Sequence, residues 1–167
     1  MSQHPTSHTL SEREFLDIID NNSSVITRIC YYYAQDTDDF NDLRQDVIAN
    51  IWAYRDSFRG DSAISTWIYR LTLNTCISAL RKRKQKGVSV SLETLTDLHS
   101  DTSDTAGMHR ELYRMISRLS PADKAIILLW LDDLSYDNIS DIIGIGRNTV
   151  ATRLRRIKEK LAKMAEA

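Results

Sequence analysis

The chain reads as an all-α protein, with two small helical domains joined by a flexible linker. Its 167 residues include only five Gly and two Pro, too few punctuating residues for a turn-rich β fold, while 42% hydrophobic and 27% charged residues suit amphipathic helices. Apolar residues recur at helical spacing wherever a pattern exists. That pattern fails over residues 87–107, where Ser, Thr and Asp crowd together without a sustained period. The length accommodates one ordinary domain or two small ones, and the interruption selects two.

Residues 1–10 form a polar, unpatterned tail with neither a basic nor an apolar signal region. No apolar run approaches the roughly 20 residues of a membrane span, so the expectation is a cytoplasmic protein with no membrane segment. The first domain is placed at residues 11–86. Ser11-Glu12-Arg13-Glu14 matches a capping box, in which Ser and Glu side chains satisfy the free amides of a first turn. Phe15, Ile18, Ile19, Val25, Ile26 and Ile29 carry the apolar side, with Asn21 to Ser24 as a candidate break. A second helix spans Asp42 to Tyr54 through Leu43, Val47, Ile48, Ile51 and Trp52, whose aliphatic and aromatic residues hold it down. Arg55 to Asp61, containing Gly60, connects it to a long helix capped by Asp61 or Ser62 and running to about Lys84. There Ile64, Trp67, Ile68 and Leu71 form one apolar side and Leu73, Cys76, Ile77 and Leu80 another.

Gly87 stops that helix and opens the 87–107 linker. Val88 to Leu92 alternates like a strand, but five residues without a partner strand would not be stable alone. The second domain is placed at residues 108–167. Ser120, Pro121 and Asp123 supply an N-cap, a proline at the first position and an acid at the third, for a helix reaching about Asp132. Ser135 caps a helix carrying Ile139, Ile142 and Ile143, and Gly144 ends it where a left-handed residue is wanted. Ile145-Gly146 then turns the chain into a last helix from Arg147. A short helix, a glycine turn and a basic helix make a helix-turn-helix pattern.

The net charge of −1 conceals segregation. Between Arg147 and Lys163 seven basic residues stand against Glu159 alone, and Arg81, Lys82, Arg83, Lys84 and Lys86 make a second basic run. Asp36 to Asp46 holds five Asp and only Arg44, so two partners of opposite charge preference are implied. Cys30 and Cys76 stand apart in apolar patterns and read as reduced, buried small hydrophobes, with no metal site. His4 and His8 sit in the tail and His99 and His109 in or beside the linker, none beside a nucleophile or paired carboxylates. No enzyme activity and no cofactor are expected.

On the last helix Val150, Leu154, Ile157 and Leu161 share a buried stripe, while Asn148, Ala151, Thr152 and Arg155 face away in a patch that suits a major groove. Asn and Arg side chains pair bidentately with adenine and guanine edges, and Thr meets a thymine methyl. Arg147, Arg153, Arg156 and Lys158 flank them at phosphate height.

These residues, with Leu134-Ser135-Tyr136, Ile142-Ile143-Gly144-Ile145 and Asn148-Thr149-Val150, resemble the fourth conserved region of extracytoplasmic-function (ECF) factors in the sigma-70 family of RNA polymerase sigma factors. Taken alone, that half also resembles the DNA-binding ends of two-component and quorum-sensing regulators. The first half discriminates. Asp42-Leu43-Arg44-Gln45-Asp46-Val47, Ile51-Trp52, Phe58-Arg59-Gly60-Asp61-Ser62, Ser65-Thr66-Trp67-Ile68-Tyr69-Arg70 and Asn74-Thr75 follow the second conserved region of the same family in order. Together the two matches cover about 11–86 and 108–163.

The resemblance implies an alternative sigma factor that binds core RNA polymerase, reads minus-35 duplex and opens and captures the minus-10 element of promoter DNA. An anti-sigma factor is a further partner it admits. By the same resemblance Arg147, Asn148, Thr149, Thr152, Arg153, Arg155, Arg156 and Lys158 would meet the minus-35 element, and Asp42, Leu43, Arg44, Gln45 and Asp46 the polymerase. Capturing melted DNA requires hydrogen-bonding groups, stacking platforms and cations. Ser57, Phe58, Arg59, Asp61, Trp67, Arg70, Asn74, Arg81 and Lys82 are the candidates, with Arg83 and Lys84 extending the cationic track. Trp67 also fits the core beside Ile64 and Leu71, which is the commoner fate of such a residue. Tyr69 is equally open, and the Lys82 to Lys86 run also reads as a solvated helix tail. Ala151, Gly146 and Ser78 depart from the family, where a basic residue, a capping Ser and an acid are common. A stand-alone helix-turn-helix regulator is the alternative, but it leaves the first half unexplained. A helical antagonist of another sigma factor leaves the basic face unexplained.

Overall fold

The computed structural model describes residues 10–87 and 104–167. Residues 1–9 of the expected tail and most of the expected linker, including the strand-like Val88 to Leu92 run, lie outside the described residues, while Leu10, expected in the tail, is buried. The fold class is as expected, with seven α-helices and no strand among the described residues.

Helix α1 (Glu12–Tyr33) begins at the capping box: Glu14 N–H donates to Ser11 Oγ at 3.2 Å, and Ser11 N–H to Glu14 Oε2 at 2.8 Å. It runs unbroken through the candidate break at Asn21 to Ser24, because Asn22 Nδ2 donates to the Ile18 carbonyl at 2.8 Å. That side chain is folded back on its own helix rather than used to cap a new one. Helix α2 (Thr37–Ala53) starts earlier than Asp42, since Asp36 accepts from Asp39 N–H at 2.8 Å and caps it. A 3₁₀ turn, Arg55–Ser57, follows. Helix α3 (Ile64–Gln85) corrects the expected cap: the N-cap is Ala63, and neither Asp61 nor Ser62 caps with its side chain. Ile26, Ile29 and Cys30 of α1, Leu43, Val47 and Ile51 of α2, and Ile68, Leu73 and Cys76 of α3 are buried together. Each aliphatic among them contributes about 1.5–3 kcal/mol relative to exposure, which is what holds the three amphipathic helices in one bundle.

Helix α4 (Asp104–Ser117) is an element that the sequence did not announce. It begins inside the expected linker and ahead of Met108, and Tyr113 and Ile116 anchor it in the core. Helix α5 (Pro121–Leu131) follows its Ser120 cap as expected, and Lys124 to Leu129 are all buried, so this helix is enclosed on every side. Helices α6 (Tyr136–Ile143) and α7 (Arg147–Glu166) complete the second half, with Gly144 left-handed at φ +81 between them. The buried residues of the two halves join in one apolar cluster, with α5 against α3 and α6 against both α3 and α7.

Candidate nucleic-acid and partner surfaces

The turn between α6 and α7 is fixed locally. Ser135 Oγ accepts from Asn138 N–H at 3.1 Å, Gly144 N–H donates to the Ser140 carbonyl at 2.8 Å, and the Ser140 hydroxyl donates to the Ile145 carbonyl. Val150, Leu154 and Ile157 are buried along α7. This turns Asn148, Thr149, Thr152, Arg155 and Arg156 to solvent on the opposite side, with Ala151 at its half-buried edge. The Thr152 hydroxyl donates to the Asn148 carbonyl at 3.0 Å, leaving its methyl and lone pairs outward.

The flanking cations differ in freedom. Arg147 pairs with Asp137 at 3.1 Å and lies over the Tyr136 ring; both partners are on α6, so the pair ties the two helices. Lys158 Nζ sits 3.8 Å from the Trp130 ring centroid. Arg155 faces Glu159 at 3.5 Å, an exposed pair that costs little to break. Arg153 is drawn inward to Asp123 at 2.6 Å and is half-buried, so it is less free than the exposed Arg147 to meet a phosphate.

On α2, Asp42, Gln45 and Asp46 are exposed on one side of the helix. Leu43 is corrected from the expected partner surface: at 2% exposure it belongs to the core and can touch no partner. Arg44 is half-buried beside the Phe40 ring, its Nε without a hydrogen bond. Trp52, expected as core, is 38% exposed, edge-on to Phe15 and covered by the Arg55 guanidinium at 3.8 Å.

Among the candidates for the melted strand, Ser57, Arg59, Asp61, Asn74, Arg81 and Lys82 are exposed. The Ser57 hydroxyl donates to the Tyr54 carbonyl at 2.6 Å. Phe58 and Trp67 are half-buried with ring centroids 5.3 Å apart, so each covers part of the other's face. Arg83 leaves the cationic track: it turns inward to Asp39 at 2.7 Å and to the Tyr33 carbonyl at 3.1 Å, closing the end of α1 onto α3. Cys30 and Cys76 are buried free thiols with sulfurs 3.9 Å apart, the expected small hydrophobes.

Arg70 makes a contact that spacing along the chain gives no hint of. Its Nε donates to the Asp141 carbonyl at 3.0 Å, and its Nη2 to the same oxygen, so a strand-capture candidate on α3 is held by α6. Around it, the Tyr69 hydroxyl donates to Asp132 Oδ2 at 2.8 Å, and Arg28 pairs with Asp132 Oδ1 at 2.6 Å. Burial, then the bond to Asp132, holds the Tyr69 phenol well above its ordinary range. The Tyr33 hydroxyl donates to the Pro121 carbonyl at 2.8 Å. Lys124 Nζ donates to the Tyr32 carbonyl at 3.3 Å and lies 4.9 Å from the Tyr33 ring centroid. Burial, then the charges of Arg83 and Lys84, lowers the Lys124 ammonium to about 8. A cleft of about 970 Å³ opens beside this seam, lined among others by Tyr31, Tyr32, Leu112, Leu131 and Asp132. Among the described residues no group of His, Cys, Asp or Glu could hold a metal ion, and no helix is long and apolar enough to cross a membrane.

Comparison with known proteins bears on both halves. The family model for Sigma-70 region 2 matches residues 18–86, and that for Sigma-70, region 4 matches residues 109–161. The ECF RNA polymerase sigma factor SigW of Bacillus subtilis (strain 168) is 27% identical over 163 residues, covering 89% of this chain and 87% of that protein. The ECF RNA polymerase sigma-E factor of Escherichia coli (strain K12) is 29% identical over 141 residues, 74% of this chain and 72% of that one. In fold the chain is similar to the sigma factor RpoE solved with the anti-sigma factor NepR from Bartonella quintana. The TM-score is 0.75 at 21% identity, over 93% of this chain and 98% of that one.

Proposed function

This chain belongs to the ECF group of the sigma-70 family, and on that premise we propose that it joins core RNA polymerase and directs initiation at promoters of its own. One observation carries this reading above all. A region 2 module and a region 4 module lie in order on one chain, and a stand-alone regulator would use only the second. The α7 surface of Asn148, Thr149, Thr152 and Arg155, flanked by Arg147, Arg156 and Lys158, suits a major groove and reads minus-35 duplex. The polar side of α2, Asp42, Gln45 and Asp46 with Arg44 at its edge, meets the polymerase. Arg59, Asp61, Arg70, Asn74, Arg81 and Lys82 hold the separated minus-10 strand, the cations taking its phosphates.

In this role the chain performs no bond chemistry. It supplies binding energy that favours the open strand over the duplex, and the polymerase makes the RNA. Acting with polymerase places it in the cytoplasm, and an anti-sigma factor is a natural further partner for a factor of this group.

The test is transcription from supercoiled templates by purified core polymerase with and without this protein. RNA from discrete start sites that appears only on addition of the protein is the expected result. Footprinting of duplex DNA by the protein alone, with no association with core, would establish the regulator reading instead.

A further inference from the structure

A long cationic side chain that meets a phosphate gives up rotamer freedom on contact, and Lys has among the most of it to lose. A neighbour that holds the cation in place beforehand removes part of that cost, so the surroundings of each cation on α7 bear on how the helix docks. Arg147 and Lys158 are eleven residues apart. At 100° per residue this brings them within about 20° of each other around the helix axis and roughly 16 Å apart along it. They share one flank, between the buried stripe of Val150, Leu154 and Ile157 and the outward Asn148, Thr152 and Arg155. Ala151, one turn after Arg147 on that flank, carries no polar group.

Each of the two cations is set on an aromatic ring. Lys158 Nζ is 3.8 Å from the Trp130 ring centroid, and the Arg147 guanidinium carbon is 5.8 Å from that of Tyr136. Arg147 also pairs with Asp137 at 3.1 Å, whereas among the described residues no carboxylate pairs with Lys158. The two rings come from either end of one turn. Trp130 is in the last turn of α5 and Tyr136 is the first residue of α6. The chain between them is pinned by Asp133 N–H, which donates to the Trp130 carbonyl at 3.0 Å, and by Leu134 N–H, which donates to the Leu129 carbonyl at 3.3 Å. Trp130 is half-buried and Lys158 exposed, so packing fixes the ring while the ammonium stays open to solvent. An ammonium over an indole face is attracted to it and keeps N–H groups free to donate on the far side.

Resting on the initiation reading above, we infer that Trp130 is a positioning residue for the minus-35 contact, its indole holding Lys158 where the ammonium donates to a phosphate of the DNA strand along that flank. The ring touches no DNA itself and acts through the lysine it carries.

The test uses holoenzyme assembled from the full chain and core polymerase. A promoter is first selected by the wild-type holoenzyme from a randomised duplex pool, and a labelled duplex of its minus-35 segment is the probe, titrated at several salt concentrations. Lys158→Gln should reduce the slope of log affinity against log salt by about 0.9, the signature of one lost phosphate contact. Trp130→Leu, which keeps an apolar side chain in the packing, should weaken binding about threefold and leave that slope unchanged, since the charge remains and only its placement is lost. Trp130→Phe should keep most of the affinity, and in the Lys158→Gln background Trp130→Leu should cost nothing further. An unchanged slope in Lys158→Gln overturns the inference whatever Trp130→Leu does to folding, because Lys158 is exposed and its substitution leaves the core intact. Wild-type affinity in Trp130→Leu, or an equal loss with and without Lys158, also overturns it and leaves the ring as a fastener of α5 to α7. Failure of the wild-type holoenzyme to select any promoter defeats the initiation reading itself, and the inference with it.

Discussion

Lys124 is a cation held where a cation is costly. Only 6% exposed, it keeps one bond to the Tyr32 carbonyl and one aromatic face, while Arg83 and Lys84 repel it. Its folded value of about 8 lies below the ordinary 10.5, so between those values the unfolded chain binds the proton and the folded one does not. Stability therefore rises with pH across that window, and below it the folded state bears a penalty of about 3 kcal/mol. The raised Tyr33, Tyr69 and Cys76 groups act with the opposite sign, losing stability as pH climbs past their ordinary values. Comparing variants cancels them. Lys124→Met should be more stable than wild type at pH 7, by about 1 kcal/mol after loss of its bond, and the order should reverse before pH 10, as wild type sheds the penalty and keeps the bond. Urea unfolding at steps between pH 7 and 10 measures this, and a gap independent of pH would show that the ammonium is not penalised. Arg155 is the contrasting case, solvated and paired with Glu159 at 3.5 Å. Arg155→Ala should leave stability within about 0.5 kcal/mol and weaken minus-35 dependent initiation by roughly 1–3 kcal/mol if it contacts a base. Wild-type initiation would remove it from the reading surface.

At the level of elements, the helix-turn-helix depends on how its short first helix ends. Gly144 is left-handed at φ +81 and has nothing within 4 Å of an added Cβ, so Gly144→Ala would meet backbone strain and no clash. A loss of about 1–2 kcal/mol in thermal or urea unfolding is expected. Gly146, at φ −64, is the N-cap of α7 without a side-chain bond, and Gly146→Ser should add a few tenths of a kcal/mol. Equal effects at the two glycines would mean that the left-handed turn is not what constrains this motif. Such elements were legible in the sequence because their determinants are local: the Ser11, Ser120 and Ser135 caps and the Gly144 stop each act within a few residues. The misread boundaries failed for equally physical reasons. Asn21 to Ser24 looks like a turn, yet Asn22 bonds back to Ile18 and the apolar stripe continues beneath it. Helix α3 starts at Ala63 with no capping side chain to mark it. Of the candidate site, exposure of Asn148, Thr152 and Arg155 followed from helical phase. The inward turns of Arg83 and Arg153 did not, because their acids are 44 and 30 residues away.

On the scale of the whole molecule, the seam between the halves conflicts with the spacing the proposed function requires. The minus-35 and minus-10 elements are about 25 base pairs apart, roughly 85 Å of duplex at 3.4 Å per pair. Here Arg70, proposed for minus-10, donates to Asp141 on the helix-turn-helix itself. One molecule cannot hold both elements while that contact stands, so the halves must part on the polymerase. Asp132 is the group whose loss should favour parting, since it accepts from Tyr69 and Arg28 across the seam at 2.8 and 2.6 Å. Hydrogen bonds to a charged acceptor contribute about 1.5–3 kcal/mol each when removed. Asp132→Ala should therefore enlarge the population of parted molecules, and Tyr69→Phe should do so to a smaller degree, with helix content unchanged in both. Solution scattering measures the outcome directly. A single packed unit of this length has a radius of gyration of roughly 16 Å, and parting the halves adds several ångströms. Because core polymerase would bind the parted form, apparent affinity for core should rise in the same order as the radius. A variant that expands without binding core better would show that closure of the seam does not limit assembly, and a wild-type radius already well above the packed value would show that the seam is open in solution.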